Sequence, residues 1–272
     1  MLQKRIPIAV VTTDSYFSYS ILKDVLTDPR IDCRCMYILP GSGAGSPLAT
    51  LRKVYQRSGP RLVGYKVATA AVAGARNGLG RVGVVKDPGT PSALARRSQV
   101  PVRHARDCNG DAVIGHLAGL DIDQLLSVNV YQRMREPLLS TPTTGSLNTH
   151  FGLLPHYRGM SPVLWAMANG EPSIGLTVHR MVLAFDEGQI VRQSVLDLLP
   201  RESLLSAMVR GCAIARGLLV EAVLEFAADP SAGVPQLGEG TYFSLPTRAA
   251  VHGLRQQGRV LTRFSDLGLL LR

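Results

Sequence analysis

The stretch NTHFGLLPHYRG at 148–159 sets an amide and an imidazole two positions apart where a regular segment ends. If residues 143–150 form a strand, alternation puts Asn148 and His150 on one side, about 7 Å apart. Asn148 offers two N–H donors, and His150 can give or take a proton near neutral pH. A donor for a developing oxyanion beside a general acid-base suits acyl transfer. What that pair lacks is a group to fix the histidine's tautomer and charge. Asp186, in FDEGQI at 185–190, is the candidate, sitting between a hydrophobe and a turn glycine.

Those residues need a frame that ends strands beside a cleft. IPIAVVTT (6–13) is a β-branched run of the buried-strand type. SYSILKDVLTDP (18–29) reads as a short amphipathic helix stopped at Asp-Pro. IDCRCMYIL (31–39) alternates as a second strand. Strand, helix, strand opens a parallel α/β sheet. In such sheets ligands sit outside the carboxyl ends of the strands. Further strands are expected at 124–131, 143–150, 174–182 and 188–198, with helices at 111–119, 161–171, 203–230 and 247–257. In the long helix 203–230, Leu205, Met208, Val209, Cys212, Leu219, Val223 and Phe226 fall near helical spacing and read as core. Trp165 reads as core too. The glycines of LPGSGAGSP (39–47) follow the second strand and lack the G-x-G-x-x-G spacing of a pyrophosphate cradle, so they read as a loop.

The chain has 272 residues, 46% hydrophobic and 18% charged, with a net charge of +10. That composition suits a single large domain with a sizeable core. No run approaches the ~20 apolar residues of a membrane span. The basic N-terminus leads into an apolar run one strand long, read as a strand and not a signal peptide. Four cysteines without a second Cys/His pair point to reduced thiols and no zinc site. The charge is concentrated: residues 51–110 hold twelve basic residues against Asp87 and Asp107, a surplus of ten, and the remainder is neutral. Residues 48–82 are helical in pattern, basic on one face and broken at 58–60. They read as an insertion of about 48–98. A concentrated positive field attracts phosphates, nucleic acid or acidic lipid, whereas a solvated helical face is the plainer explanation.

The segments SLNTHFGLLPHYRGMSPVLWAMANGE and GLTVHRMVLAFDEGQIV resemble the folate-dependent formyltransferases, among them the glycinamide ribonucleotide, methionyl-tRNA and amino-sugar N-formyltransferases. The shared pattern is N-x-H-x-S-L-L-P-x-Y-R-G, then W-x-x-x-N-G, T-x-x-x-M and D-x-G-x-I. Pro155, Arg158, Gly159, Trp165, Asn169, Gly170 and Gly188 are all in place. The match is strong over 124–200, weak over 1–40 and absent over the basic insertion. It departs at Gly152, where the pattern has serine, at the 182–184 stretch VLA, and at Tyr131 and Arg135.

The resemblance implies a Rossmann-like, mostly parallel twisted sheet carrying a helical basic insertion and a short C-terminal extension. It implies a catalytic core over 1–200 and a helix with a short tail over 201–272, with no separate barrel. It implies a cytoplasmic, metal-free N-formyltransferase, with Asn148, His150 and Asp186 as the catalytic set and 10-formyltetrahydrofolate as donor. The pterin would lie against Val128, Val130, Tyr131, Gln132, Met134, Val182, Leu183 and Phe185. Arg158 and Gly159 would face the acceptor. The acceptor is expected to be a small, anionic or nucleotide-linked amine such as an amino sugar. A methionyl-tRNA or purine-pathway enzyme is the alternative within the family. A non-catalytic folate- or anion-binding module docking on RNA or membrane is the alternative outside it. A homodimer is an open expectation.

Overall fold

Strand β1 (Ile6–Thr13) is buried over nearly its whole length, as a central parallel strand must be. The computed structural model describes residues 5–41, 45–85 and 89–271, apart from the side chain of Arg81. Ser15 caps helix α1 (Tyr16–Thr27) by accepting from the Ser18 N–H. The chain then returns as β2 (Ile31–Leu39), parallel to β1. After the inserted helices come β3 (Val102–His104), α5 (Asp111–Ala118), β4 (Gln124–Val128) and β5 (Gly145–His150). A short β6 (Arg158–Gly159) and α6 (Pro162–Ala168) lead into β7 (Ser173–Arg180) and β8 (Ile190–Asp197). Then follow the long helix α7 (Leu204–Ala228), β9 (Tyr242–Phe243) and α8 (Arg248–Gln256).

The sheet order is β3-β2-β1-β4-β5-β7-β8. The first five strands run parallel, and β7 and β8 are antiparallel. This is the mostly parallel α/β sheet expected from the sequence. One face buries Val10, Leu126 and Leu147 against α1 and α7. The other buries Ala9, Val11 and Leu125 against α5. A third apolar cluster joins α6, α7 and α8. Helix α7 thus completes the sheet's own core and is no appendage to it.

The insertion comprises α2 (Pro47–Ser58), α3 (Pro60–Arg81) and α4 (Pro91–Arg97). Gly59, at φ +82°, makes the break between the first two. It is not simply a solvated basic face. Arg57 donates to the Leu245 carbonyl at 2.7 Å and to Ser244 Oγ. Arg76 is buried, donates to the Leu270 carbonyl at 2.7 Å and lies over the Tyr16 ring. Two of the twelve cations therefore bind the C-terminal segment, because its carbonyls need donors that apolar neighbours cannot supply. Lys86 and Asp87, and residues 42–44 of the glycine-rich loop, lie outside the described residues. Strand β4 stops three residues short of the expected end. Asn129 turns left-handed (φ 55°) and donates to Thr13 Oγ1 and Ser15 Oγ, which ends the pairing.

Candidate active site

Register brings the expected residues together. Asn148 on β5 pairs directly with His179 on β7. Its Nδ2 donates to His179 Nε2 at 3.1 Å. Two residues on, His150 is buried and ends the same strand. Asp186 lies in the loop after β7, at φ 55°, a backbone region a carboxylate side chain tolerates better than most. Its Oδ2 is 3.6 Å from His150 Nδ1, and its Oδ1 is 3.4 Å from His179 Nε2. Oδ2 also accepts from the Gly159 N–H at 2.8 Å. The three expected residues are thus assembled, and His179 joins them as a fourth. Its signal in the sequence was a histidine in strand alternation, which reads equally well as a core position.

The backbone fixes which ring nitrogens are free. His150 Nε2 donates to the Tyr157 carbonyl at 2.8 Å, so Nδ1 is the nitrogen turned to Asp186. His179 Nδ1 donates to the Arg180 carbonyl at 2.8 Å, which leaves Nε2 between the Asn148 amide and the carboxylate. One carboxylate therefore faces two imidazole nitrogens, each able to gain a proton. Burial holds His150 below the ordinary histidine value, outweighing the attraction of Asp186. Burial works to raise Asp186, but the hydrogen bond of His179, both imidazoles and the Gly159 N–H take it down to about 2. The resting state is an ionised Asp186 beside a neutral His150. The aspartate does not make His150 more basic than usual, because the cost of burying an imidazolium is larger. His150 Nε2 is spent on the Tyr157 carbonyl, whereas the second N–H of the Asn148 amide is left to meet a ligand oxygen.

Gly152 explains the His150 orientation. A Cβ there would stand 2.6 Å from His150 Nε2 and 2.7 Å from the Tyr157 carbonyl. The missing serine makes room for that hydrogen bond.

The four polar groups open on a cavity of about 360 Å³. Val130, Tyr131, Gln132 and Met134 form one wall, and Val182, Leu183 and Phe185 another. Val128 is fully buried in the sheet core, and its carbonyl accepts from Thr12 Oγ1, so it does not reach the cavity. The Gln132 side chain bridges the Cys108 N–H and the Arg106 carbonyl, tying the loop. Gly159 lines the cavity, but Arg158 does not. The Arg158 guanidinium is bound to Gln236 at 2.8 Å and to Glu187 at 3.2 Å, a structural clamp in place of the expected acceptor contact. Trp165 is only partly buried. It donates to the Ser244 carbonyl and stacks on Phe243, holding β9 beside β6. Met208, expected in the core, lines the cavity. Among the described residues no cluster of His, Cys, Asp and Glu has the arrangement of a metal site.

The family model for formyl transferase matches residues 41–223. The chain belongs to the formyl transferase family. Over 97 residues it is 37% identical to the bifunctional polymyxin resistance protein ArnA of Wigglesworthia glossinidia brevipalpis, a match covering 36% of this chain and 15% of that longer protein. Its fold is that of glycinamide ribonucleotide transformylase 1 from Symbiobacterium toebii (TM-score 0.58, 19% identity, 82% of this chain and 88% of the other). It is equally that of an N-formyltransferase from Helicobacter canadensis solved with folinic acid and dTDP-3-aminofucose (TM-score 0.59, 12% identity, 93% and 80%). No helix among the described residues is long and apolar enough to cross a membrane.

Proposed function

We propose that this formyl transferase family member moves the formyl group of 10-formyltetrahydrofolate to a primary amine of a small metabolite. The observation that carries the reading is the Asn148 amide, held by His179 and opening with the Asp186 cluster on one largely apolar cavity. The cavity residues fit a flat heteroaromatic donor. Met134, Val182, Leu183 and Phe185 supply apolar faces, and the irregular segments 129–134 and 181–186 supply main-chain polar groups. The folate supplies an activated formyl carbon and a nitrogen leaving group.

This chain's own residues do the remainder. One Asn148 N–H is spent on His179 Nε2, which fixes the amide plane. The second is available to the formyl oxygen, where negative charge grows as the acceptor nitrogen bonds to the carbon. A fixed donor at such an oxygen is worth about 10²–10³ in rate. The proton that the attacking amine must lose has a destination at His150 Nδ1, which can take it beside the Asp186 carboxylate. When the carbon–nitrogen bond to the folate breaks, that proton returns to the departing nitrogen, so the set ends as it began. The apolar walls keep water from competing for the formyl group.

We place Asn148, His150 and Asp186 as catalytic residues and His179 as the residue that positions Asn148. The acceptor we favour carries an anion, as the basic insertion suggests; the aminosugar nucleotide in the Helicobacter canadensis complex is a precedent in the fold. The four cysteines are all free, which supports a reducing, cytoplasmic setting. The reading is tested with 10-formyltetrahydrofolate and a panel of amino sugars, nucleotide-linked amino sugars and simple amines, following amine-dependent release of tetrahydrofolate. Calorimetry with 5-formyltetrahydrofolate reads donor binding separately. No binding of that folate at millimolar concentration, together with no amine-dependent release, overturns the reading.

A further inference from the structure

The inserted helices meet the catalytic cavity at one place. Leu62, Tyr65 and Lys66 of α3 form part of its wall. Leu62 is buried and packs with Val163 and Leu164 of α6, so this turn of α3 is fixed in position. Neither Lys66 Nζ nor Tyr65 Oη has a hydrogen-bond or ion-pair partner among the described residues. Burial draws the Lys66 ammonium below the ordinary lysine value and pushes the Tyr65 phenol up, keeping it a hydrogen-bond donor.

The other charged groups of the cavity are already occupied. Arg133 donates to the Leu183 carbonyl at 3.0 Å and lies over the Phe185 ring. Asp186 is enclosed by the two imidazoles and Gly159. The lining that the insertion shares includes the apolar Phe17 and Ile21 from α1, Phe151, and Leu204 and Met208 from α7. A cation set among such groups costs free energy unless an anion meets it. The same wall has little to offer the many hydroxyls of a sugar.

We propose that Lys66 is a specificity-determining residue that binds the anionic end, a carboxylate or a phosphate, of an acceptor whose reacting amine and anion are separated by an apolar body. This rests on the formyl-transfer reading and narrows its acceptor. The acceptor spans the cavity, with its amine at Asn148, its apolar body against α1 and α7, and its anion at Lys66 and Tyr65. The donor keeps to the walls formed by residues 130–134 and 182–185.

The test compares the native protein with Lys66→Met and Lys66→Arg. The probes are ω-aminocarboxylates of four to twelve carbons, the matching ω-aminoalkyl phosphates, and alkylamines of the same lengths without an anion. Calorimetry in the presence of 5-formyltetrahydrofolate reads probe binding, and tetrahydrofolate release reads turnover. The native protein should favour anionic probes over alkylamines with a clear optimum in length. A charge-assisted hydrogen bond of this kind is worth about tenfold in affinity. Lys66→Met should abolish that preference while alkylamine and 5-formyltetrahydrofolate binding persist, and Lys66→Arg should retain it. The carboxylate and phosphate series show which anion fits. Equal binding of anionic and neutral probes to the native protein overturns the proposal, as does a preference that survives Lys66→Met. Weakened 5-formyltetrahydrofolate binding in Lys66→Met also overturns it, placing Lys66 on the donor. Lys66-dependent probe binding with neither 5-formyltetrahydrofolate binding nor turnover would sustain the anion site and defeat the formyl-transfer reading instead.

Discussion

Replacing Asp186 with Asn isolates the electrostatic part of the site. The new side chain is nearly isosteric, and the Gly159 N–H, 2.8 Å from Oδ2, still needs an acceptor. The amide oxygen must therefore take that position, beside His150. Its NH₂ then falls where Oδ1 lay, 3.4 Å from His179 Nε2, and competes with the Asn148 donor at 3.1 Å. His150 loses more. An imidazolium formed by taking the amine proton would have a carboxylate oxygen 3.6 Å away in the native protein and none in the variant. At an effective dielectric of about 20, that separation corresponds to about 4–5 kcal/mol. At 1.36 kcal/mol per decade this is a loss of about 10³ in kcat. The fold should be nearly unaffected, since the Gly159 contact persists. Steady-state formyl transfer and thermal melting, measured on the same preparations, check both halves. A variant within about tenfold of native kcat would refute the assignment of Asp186 as the group that stabilises the protonated cluster. A large drop in melting temperature would move Asp186 from chemistry to structure.

Asn148→Ala should lower kcat by about 10² while KM for the folate changes little, because its donor bond strengthens only as the formyl oxygen gains charge; a raised KM with native kcat would make it a binding residue. Gly152→Ser places a Cβ 2.6 Å from His150 Nε2 and 2.7 Å from the Tyr157 carbonyl, so it should displace the ring and reduce kcat; retained activity and an unchanged histidine NMR signal would contradict the role given to that hydrogen bond. The pH profile of kcat/KM should be flat near neutrality and fall on acidification below 6.5, since burial lowers the His150 pKa and the neutral ring is the proton acceptor. A falling limb above 6.5 would contradict this. Stability should follow the same sign: the unfolded imidazole binds a proton that the buried one resists, so stability declines as pH falls below 6.5. It declines again between 3.8 and about 2 as Asp186 is protonated.

What the sequence revealed and what it hid divide along local and non-local lines. The β-branched runs, the Thr247 helix start and the Gly59 break are local, and their elements fall where expected, whereas α1 begins two residues before the expected 18, at the Ser15 cap. Asn148 and His150 were legible because strand alternation alone puts them together. His179 was not, because its role comes from pairing with Asn148 across 31 residues, and pairing register cannot be read from one strand. Arg158 misled for the same reason: its partner Gln236 is 78 residues away. Met208 sits within an apolar helical stripe, and nothing in that stripe tells the residue facing a cavity from its neighbours facing the core. The twelve cations of the insertion read as one field. The fold instead divides them, sending Arg57 and Arg76 to backbone carbonyls of the C-terminal segment and bringing Lys66 to the cavity wall.

The left-handed conformation of Asp186 costs free energy, so something around it must hold it. Gln236 donates to the Asp186 carbonyl at 2.7 Å and to the Gly188 carbonyl at 2.8 Å, spanning the loop from outside. Gly188 lies so close to the Arg180 carbonyl that no side chain would fit between them. From inside, the Gly159 N–H grips the carboxylate, and Gly159 belongs to β6, which pairs with β9. Strand β9 is held in turn by the stack of Tyr157, Phe243 and Trp165. The segment after α7 is therefore the outer support of Asp186, though it brings no side chain of its own to that cluster. The inserted helices bind that same segment through Arg57. One region of the chain thus supports the loop of Asp186 and anchors the helices that carry Lys66, so packing alone links the proposed acceptor contact to the proposed catalytic set.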